Sequence, residues 1–203
     1  MECIKMFNLL ARQFEKPDGL LGKITGLIMF LENRKINRWS IKRLHIKKGD
    51  RILEIGYGPG FAVKEIMEST RKVTLDGIDL SESMKQTAEK RNQCYIREGK
   101  VKLYSGDISS YQPNHLYNKV LSVNNYPLWE KPNQSLKRIY HMMAAGGQIT
   151  LTVQPREDGA GAQTARDLGE SMTRDLTEAG FHNISVAFKK VRPVLTVSVS
   201  AHK

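Results

Sequence analysis

The sequence of 203 residues predicts an α/β fold: an open, mostly parallel sheet of seven strands with helices on both faces and the last strand antiparallel. Three observations predict it. Short apolar runs rich in β-branched residues alternate with stretches of helical periodicity, the pattern of strands joined by helical crossovers. The first run leads into a glycine-rich turn, Gly56-Tyr57-Gly58-Pro59-Gly60, ahead of a helical stretch. The last two runs are separated by a turn around Lys190 to Pro193, too short for a crossover, so they must pair antiparallel.

Strands are expected at 51–56, 73–78, 101–104, 118–123, 147–153, 183–189 and 194–201. In the first, Glu54 interrupts an aliphatic run, where a carboxylate without a partner is costly. A bond to the backbone of the turn or to a ligand's amino group would answer that cost. The glycines that follow suit a turn that needs positive φ, or one whose ligand would collide with a Cβ. A dinucleotide turn reads G-x-G-x-x-G and would need a glycine at position 61, where Phe61 stands. The phosphate-cradling G-x-x-x-x-G-K-[ST] pattern is absent, so the turn is shaped for something other than a pyrophosphate.

The second run ends at Asp79, whose two acceptor oxygens suit a vicinal diol. Asp79 also precedes a helical stretch, but Ser81 can cap that helix and leave Asp79 free. The third run is followed by Ser105-Gly106-Asp107-Ile108, in which Asp107 is either a ligand contact or a turn residue. The fourth runs into Asn124-Asn125-Tyr126-Pro127-Leu128-Trp129. Leu136, Ile139, Tyr140 and Met143 fall on one helical face. So do Ala165, Leu168, Met172, Leu176 and Ala179, with Gly180 placed to end that helix.

The pattern E-x-G-x-G-x-G from Glu54, then Asp79, then Gly106-Asp107, each at a strand end and in this order, resembles the class I S-adenosylmethionine-dependent methyltransferases. The resemblance spans roughly residues 45–203. It implies the strand order 3-2-1-4-5-7-6 and S-adenosyl-L-methionine as cofactor. Gly56, Tyr57, Gly58 and Gly60 would pass under the cofactor's amino-acid end, and Glu54 would take its amino group. Asp79 would grip the ribose, with Leu80 and Met84 beside it. Gly106 and Asp107 would read the adenine amino group, and Ile108 would pack on the ring. Asn124 would touch the cofactor and, with Tyr126, orient a substrate. Adenine-modifying members carry [DNS]-P-P-[YFW] at this strand end; Asn124-Asn125-Tyr126-Pro127 departs from it and argues against adenine as the acceptor. Trp129 either completes an aromatic wall with Tyr126 or anchors the following loop.

The expected reaction is in-line transfer of a methyl group to an oxygen, nitrogen or sulfur of a small-molecule acceptor. Two other readings stand beside it: action on a macromolecule or membrane lipid, and a non-catalytic cofactor-binding module. His45, His115, His141, His182 and His202 are scattered and none announces a general base, which orientation of an activated sulfonium does not demand.

The formal net charge is +11, and residues 1–50 hold eleven Lys/Arg against five Asp/Glu. These charges are spread singly, without the dense run or interleaved aromatics of an RNA-binding module, which argues against a nucleic-acid partner. Cys3 and Cys94 make neither a disulfide framework nor a metal site, and no metal is expected. A cytoplasmic setting is expected, since the first residues do not read as a leader. Residues 1–44 read as a helical cover or substrate lid over the cofactor domain at 45–203. Ile4, Phe7, Ala11 and Phe14 form one stripe there. The apolar run at 20–31 is well short of the ~20 residues that cross a bilayer. It is either part of that cover or an interfacial element bringing residues 1–31 to a membrane surface. Asn33, Asn37 and Trp39 are expected near the pocket, with Trp39 alternatively sealing the core. The sequence leaves the oligomeric state open.

Overall fold

The computed structural model describes residues 33–70 and 72–203. Each of the seven expected runs forms a strand: β1 (Arg51–Ile55), β2 (Thr74–Asp79), β3 (Val101–Ser105), β4 (Tyr117–Val123), β5 (Met143–Val153), β6 (His182–Lys190) and β7 (Leu195–His202). They lie in one sheet in the order β3-β2-β1-β4-β5-β7-β6. Pairings from β3 through to β5 are parallel, and β7 runs antiparallel to both β5 and β6. The helices are α1 (33–43), α2 (Phe61–Ser69), α3 (Glu82–Arg91), α4 (Gln93–Arg97), α5 (Pro132–Met142) and α6 (Ala162–Glu178).

Strand alternation divides the core in two. Leu53 and Ile55 of β1 face α5 and α6, joining Leu136, Ile139, Met172 and Leu176 in one buried cluster. Ile52 faces the other way, joining Ile41 and Leu44 beside α1, Val63 and Ile66 of α2, and Tyr95 of α4. Glu54 shares the face of Ile52, so its carboxylate lies on the side of the glycine turn and α2.

Toward β5 and β7 the α1 face turns polar. Thr150 bonds Ser200 at 2.9 Å, and the Thr152 hydroxyl donates to Ser198 at 2.9 Å. Arg43 reaches down from α1, with Nε donating to Ser198 Oγ at 3.1 Å and Nη2 to the Ser185 carbonyl at 2.9 Å. Gln148 Nε2 returns a bond to the Arg43 carbonyl at 2.8 Å. These buried hydroxyls are paired, which removes most of the cost of burying them. The stripe at 4–14 and the apolar run at 20–31 lie outside the described residues.

One strand boundary differs from expectation by more than a residue. Met143 completes the helical spacing of Leu136, Ile139 and Tyr140, yet α5 stops at Met142 and β5 begins at Met143. Met143 pairs with Tyr117 across a register shift in β4 and stays buried in the same cluster. Burial of its side chain is therefore satisfied by a strand as well as by a further helical turn.

Candidate functional site

The carboxyl ends of β1 to β4 converge on the glycine turn, where ligands of open parallel sheets bind. Gly56 continues the sheet, its N–H donating to the Ile78 carbonyl at 2.8 Å, and its φ of 72° lies in the left-handed region. Beyond it Gly58 donates its N–H to Asp79 Oδ2 at 2.7 Å. The other oxygen of Asp79 accepts from the Ser81 N–H at 2.9 Å. Asp79 thus clamps the turn to the start of α3, and each oxygen keeps a lone pair for a ligand. Ser81 caps α3 itself, accepting from the Met84 N–H at 3.3 Å. Burial raises the Asp79 carboxyl above its ordinary value, against the pull of its two N–H donors.

Glu54 is 3% exposed, and its Oε2 has no hydrogen-bond partner. Burial, and then the like charge of Asp79, push its carboxyl up to about 8. A buried carboxylate next to a second one, with an oxygen left over, is arranged for a cation that supplies the missing donor.

The remaining cofactor candidates take different positions. Tyr57 is buried, its hydroxyl donating to the Tyr104 carbonyl at 3.0 Å. Its ring rests where Gly77 has no side chain: a Cβ there would come within 2.7 Å of Tyr57 Cδ1. Leu80 is 54% exposed beside Asp79, an apolar surface free to pack on a planar ring, and Met84 is half-buried one turn into α3. A Cβ at Gly58 or Gly106 would meet nothing, so the backbone is open to approach at both. Asp107 is exposed and its Oδ1 accepts from the Ser109 N–H at 2.6 Å, while Ile108 is buried in the α5–α6 core.

The end of β4 separates its two asparagines. Asn124 adopts a φ of 54°, and its Oδ1 accepts from the Gln154 N–H at 2.8 Å, tying β4 to the end of β5. Asn125 instead lies against the turn, its Cγ 2.3 Å from where a Cβ on Gly56 would sit. Its Oδ1 accepts from Trp129 Nε1 at 2.6 Å, which leaves the amide N–H₂ free to donate. Asn125 is the residue that sequence reasoning passed over; the one available signal was a pair of amides at a strand end facing a glycine. Tyr126 is buried in the α5–α6 core, its hydroxyl donating to Asp175 Oδ2 at 2.5 Å and raised to about 12 by burial and that bond. Trp129 stacks edge-on against it at 5.6 Å.

Asn33 Oδ1 accepts from the Arg156 guanidinium in the loop after β5. Asn37 is half-buried on α1, and Trp39 lies between Arg43 and Lys189, 5.8 and 5.7 Å from its ring. Of the histidines, His115 sits on the opposite sheet face, Nε2 3.3 Å from Asp76. No cluster able to hold a metal ion occurs among the described residues. The spare oxygen of Glu54, the bare backbone at Gly58 and the exposed Leu80 fit a ligand with a cationic end, a diol and a planar ring, as S-adenosylmethionine has.

Comparison with known proteins agrees with this fit. A family described as a methyltransferase domain matches residues 52–147. The uncharacterized methyltransferase YdaC of Bacillus subtilis (strain 168) is 38% identical over 181 residues, covering 89% of this chain and 98% of its own. The N-methyltransferase NodS from Bradyrhizobium japonicum WM9 superposes with a TM-score of 0.65 at 17% identity, over 85% of this chain and 96% of that one. Haemonchus contortus phosphoethanolamine N-methyltransferase 2, in complex with S-adenosyl-L-methionine, does so with a TM-score of 0.67 at 16% identity, over 82% of this chain and 52% of that one. At such identities these two structures establish a shared fold.

Proposed function

The chain belongs to the class I S-adenosylmethionine-dependent methyltransferases, and from that membership we propose that its methyl acceptor is a small-molecule nucleophile. The observation that carries this reading is the end of β4. There Asn125 presents a single amide, fixed by Trp129, directly against Gly56. Such a site orients one small polar group. The phosphoethanolamine N-methyltransferase, a fold neighbour, is named for a small amine.

In this reading Glu54 takes the cofactor's ammonium with its unpartnered oxygen, and ionises as it does so. Asp79 would use its remaining lone pairs on the ribose hydroxyls, Leu80 would offer its exposed side chain to the adenine, and Asp107 would read the adenine amino group. When bound, S-adenosylmethionine supplies an electrophilic methyl group on a sulfonium. Asn125 would orient a polar group of the acceptor next to the cofactor site. Orientation of the acceptor supplies much of the rate, without a dedicated base.

Formation of S-adenosylhomocysteine, followed over thiols, amines, phenols and carboxylates, tests the proposal. Turnover with one of these classes, unchanged by added vesicles or RNA, is the expected result. Turnover only on vesicles or RNA would replace the small acceptor with a lipid or macromolecule, and binding without turnover on any class would remove it.

A further inference from the structure

Asn92 stands between α3 and α4 and is fully buried. An asparagine at such a junction suits capping of the following helix, yet its side chain makes no cap bond to α4. Its Nδ2 donates instead to the Gly60 carbonyl at 3.1 Å, in the glycine turn, and to the Ala88 carbonyl at 2.9 Å. Neither carbonyl depends on it. Gly60 also accepts from the Lys64 N–H at 3.2 Å, and Ala88 from the Asn92 N–H at 2.9 Å. The Asn92 Oδ1 is buried with no hydrogen-bond partner. A buried amide with an unpaired acceptor, bonded to carbonyls that have other donors, adds little to stability. What it fixes is the place of the turn.

The approach is close. A Cβ on Gly60 would fall 2.6 Å from Asn92 Nδ2 and 2.8 Å from Ala88 Cβ. Arg91 adds a second hold, its guanidinium donating to the Pro59 carbonyl and lying 3.6 Å over the Phe61 ring. The start of α3 is tied to the same turn, because Ser81 and Gly58 both donate to Asp79. One helix therefore holds the turn from both of its ends: Gly58 through Asp79, and Pro59 and Gly60 through Arg91 and Asn92.

We propose that Asn92, with Arg91 beside it, is a positioning residue for the cofactor's amino-acid end, which rests on the reading of the glycine turn as the cradle for that end. Drawing the Pro59 and Gly60 carbonyls onto α3 keeps two acceptor oxygens away from the ligand's carboxylate, which they would repel. It also holds the open backbone at Gly58 in one place. The adenosine half meets α3 at its other end, through Asp79 and Leu80, so loss of Asn92 disturbs one half of the ligand and spares the other.

Calorimetry of the full chain with S-adenosylhomocysteine and with 5′-methylthioadenosine, which lacks the amino-acid end, tests the proposal in Asn92→Leu. Leucine has a similar size and removes the unpaired oxygen, so the melting temperature should stay within about 4 °C of the parent. Affinity for S-adenosylhomocysteine should fall about tenfold, while 5′-methylthioadenosine binds as before. Equal loss for both ligands overturns the proposal, since a general packing defect spares neither, and so does no loss for either. A parent chain that binds S-adenosylhomocysteine no more tightly than 5′-methylthioadenosine overturns the cradle reading itself, and this proposal with it. Should the leucine unfold the chain, Arg91→Met decides. It should show the same split, and Arg91→Lys, which keeps a donor for the Pro59 carbonyl, should restore binding; a methionine variant without the split overturns the proposal.

Discussion

Glu54 carries an ionisation that the fold opposes and the ligand should favour. Its carboxyl stands near 8 in the folded chain against an ordinary 4.5, raised by burial and then by Asp79. For a group raised on folding, the associated stability is full below the unfolded value and is lost as pH rises through the folded one. Thermal unfolding of the ligand-free enzyme should therefore weaken from about pH 4.5 to about pH 8, on the order of a few kcal/mol in all, and Glu54→Gln should flatten this slope. A slope unchanged by the substitution would place the titration elsewhere. Cofactor affinity should rise over the same window in the parent, because binding a cation releases the proton. Trp129→Phe makes a second test, since it keeps the ring against Tyr126 and removes the donor that fixes Asn125. Turnover should fall about tenfold or more while cofactor affinity holds, as for a lost orienting contact. Glu54, Asp79 and the glycines were legible in the sequence because each breaks its local pattern: a charge in an aliphatic run, bare backbone after a strand. Asn125 was not, because which of two adjacent amides faces the turn depends on the left-handed backbone at Asn124. Nor was the anchoring of Tyr126, whose partner Asp175 lies 49 residues away.

Among the elements, β2 shows how packing places the site. Gly77 lets Tyr57 and Leu103 close over the strand, with Cβ positions only 2.7 and 2.8 Å from their ring and methyl carbons. Gly77→Ala should cost about 1–3 kcal/mol by overpacking and displace the turn, read as a lower melting temperature with weakened cofactor binding. An unchanged melting temperature would mean that Tyr57 shifts freely. α1 is held differently, through Arg43 on the polar side of β6 and β7 and Arg38 on Glu65 at 2.7 Å. Arg43→Ala should raise amide exchange across 33–43 selectively, leaving β1 and β2 protected. Strand positions were legible to within a few residues because short apolar runs and the turns between them mark them locally. The start of β5 at Met143 was not, because a buried methionine satisfies helix and strand alike and its pairing with Tyr117 is set from outside the segment.

At the scale of the molecule, the parallel part of one sheet brings four strand ends to a single edge, where two carboxylates and a stretch of open backbone meet. The strand order followed from a resemblance carried by Glu54, Asp79 and Gly106-Asp107, since periodicity alone leaves spatial order undetermined. Titration calorimetry of the full chain with S-adenosylmethionine and S-adenosylhomocysteine tests whether that edge is the cofactor cradle. Both should bind at one site, with proton release near neutral pH that Glu54→Gln abolishes, and Asp79→Ala should weaken both at least tenfold. Absence of binding heat for either compound, with a nicotinamide dinucleotide bound instead, would contradict the account.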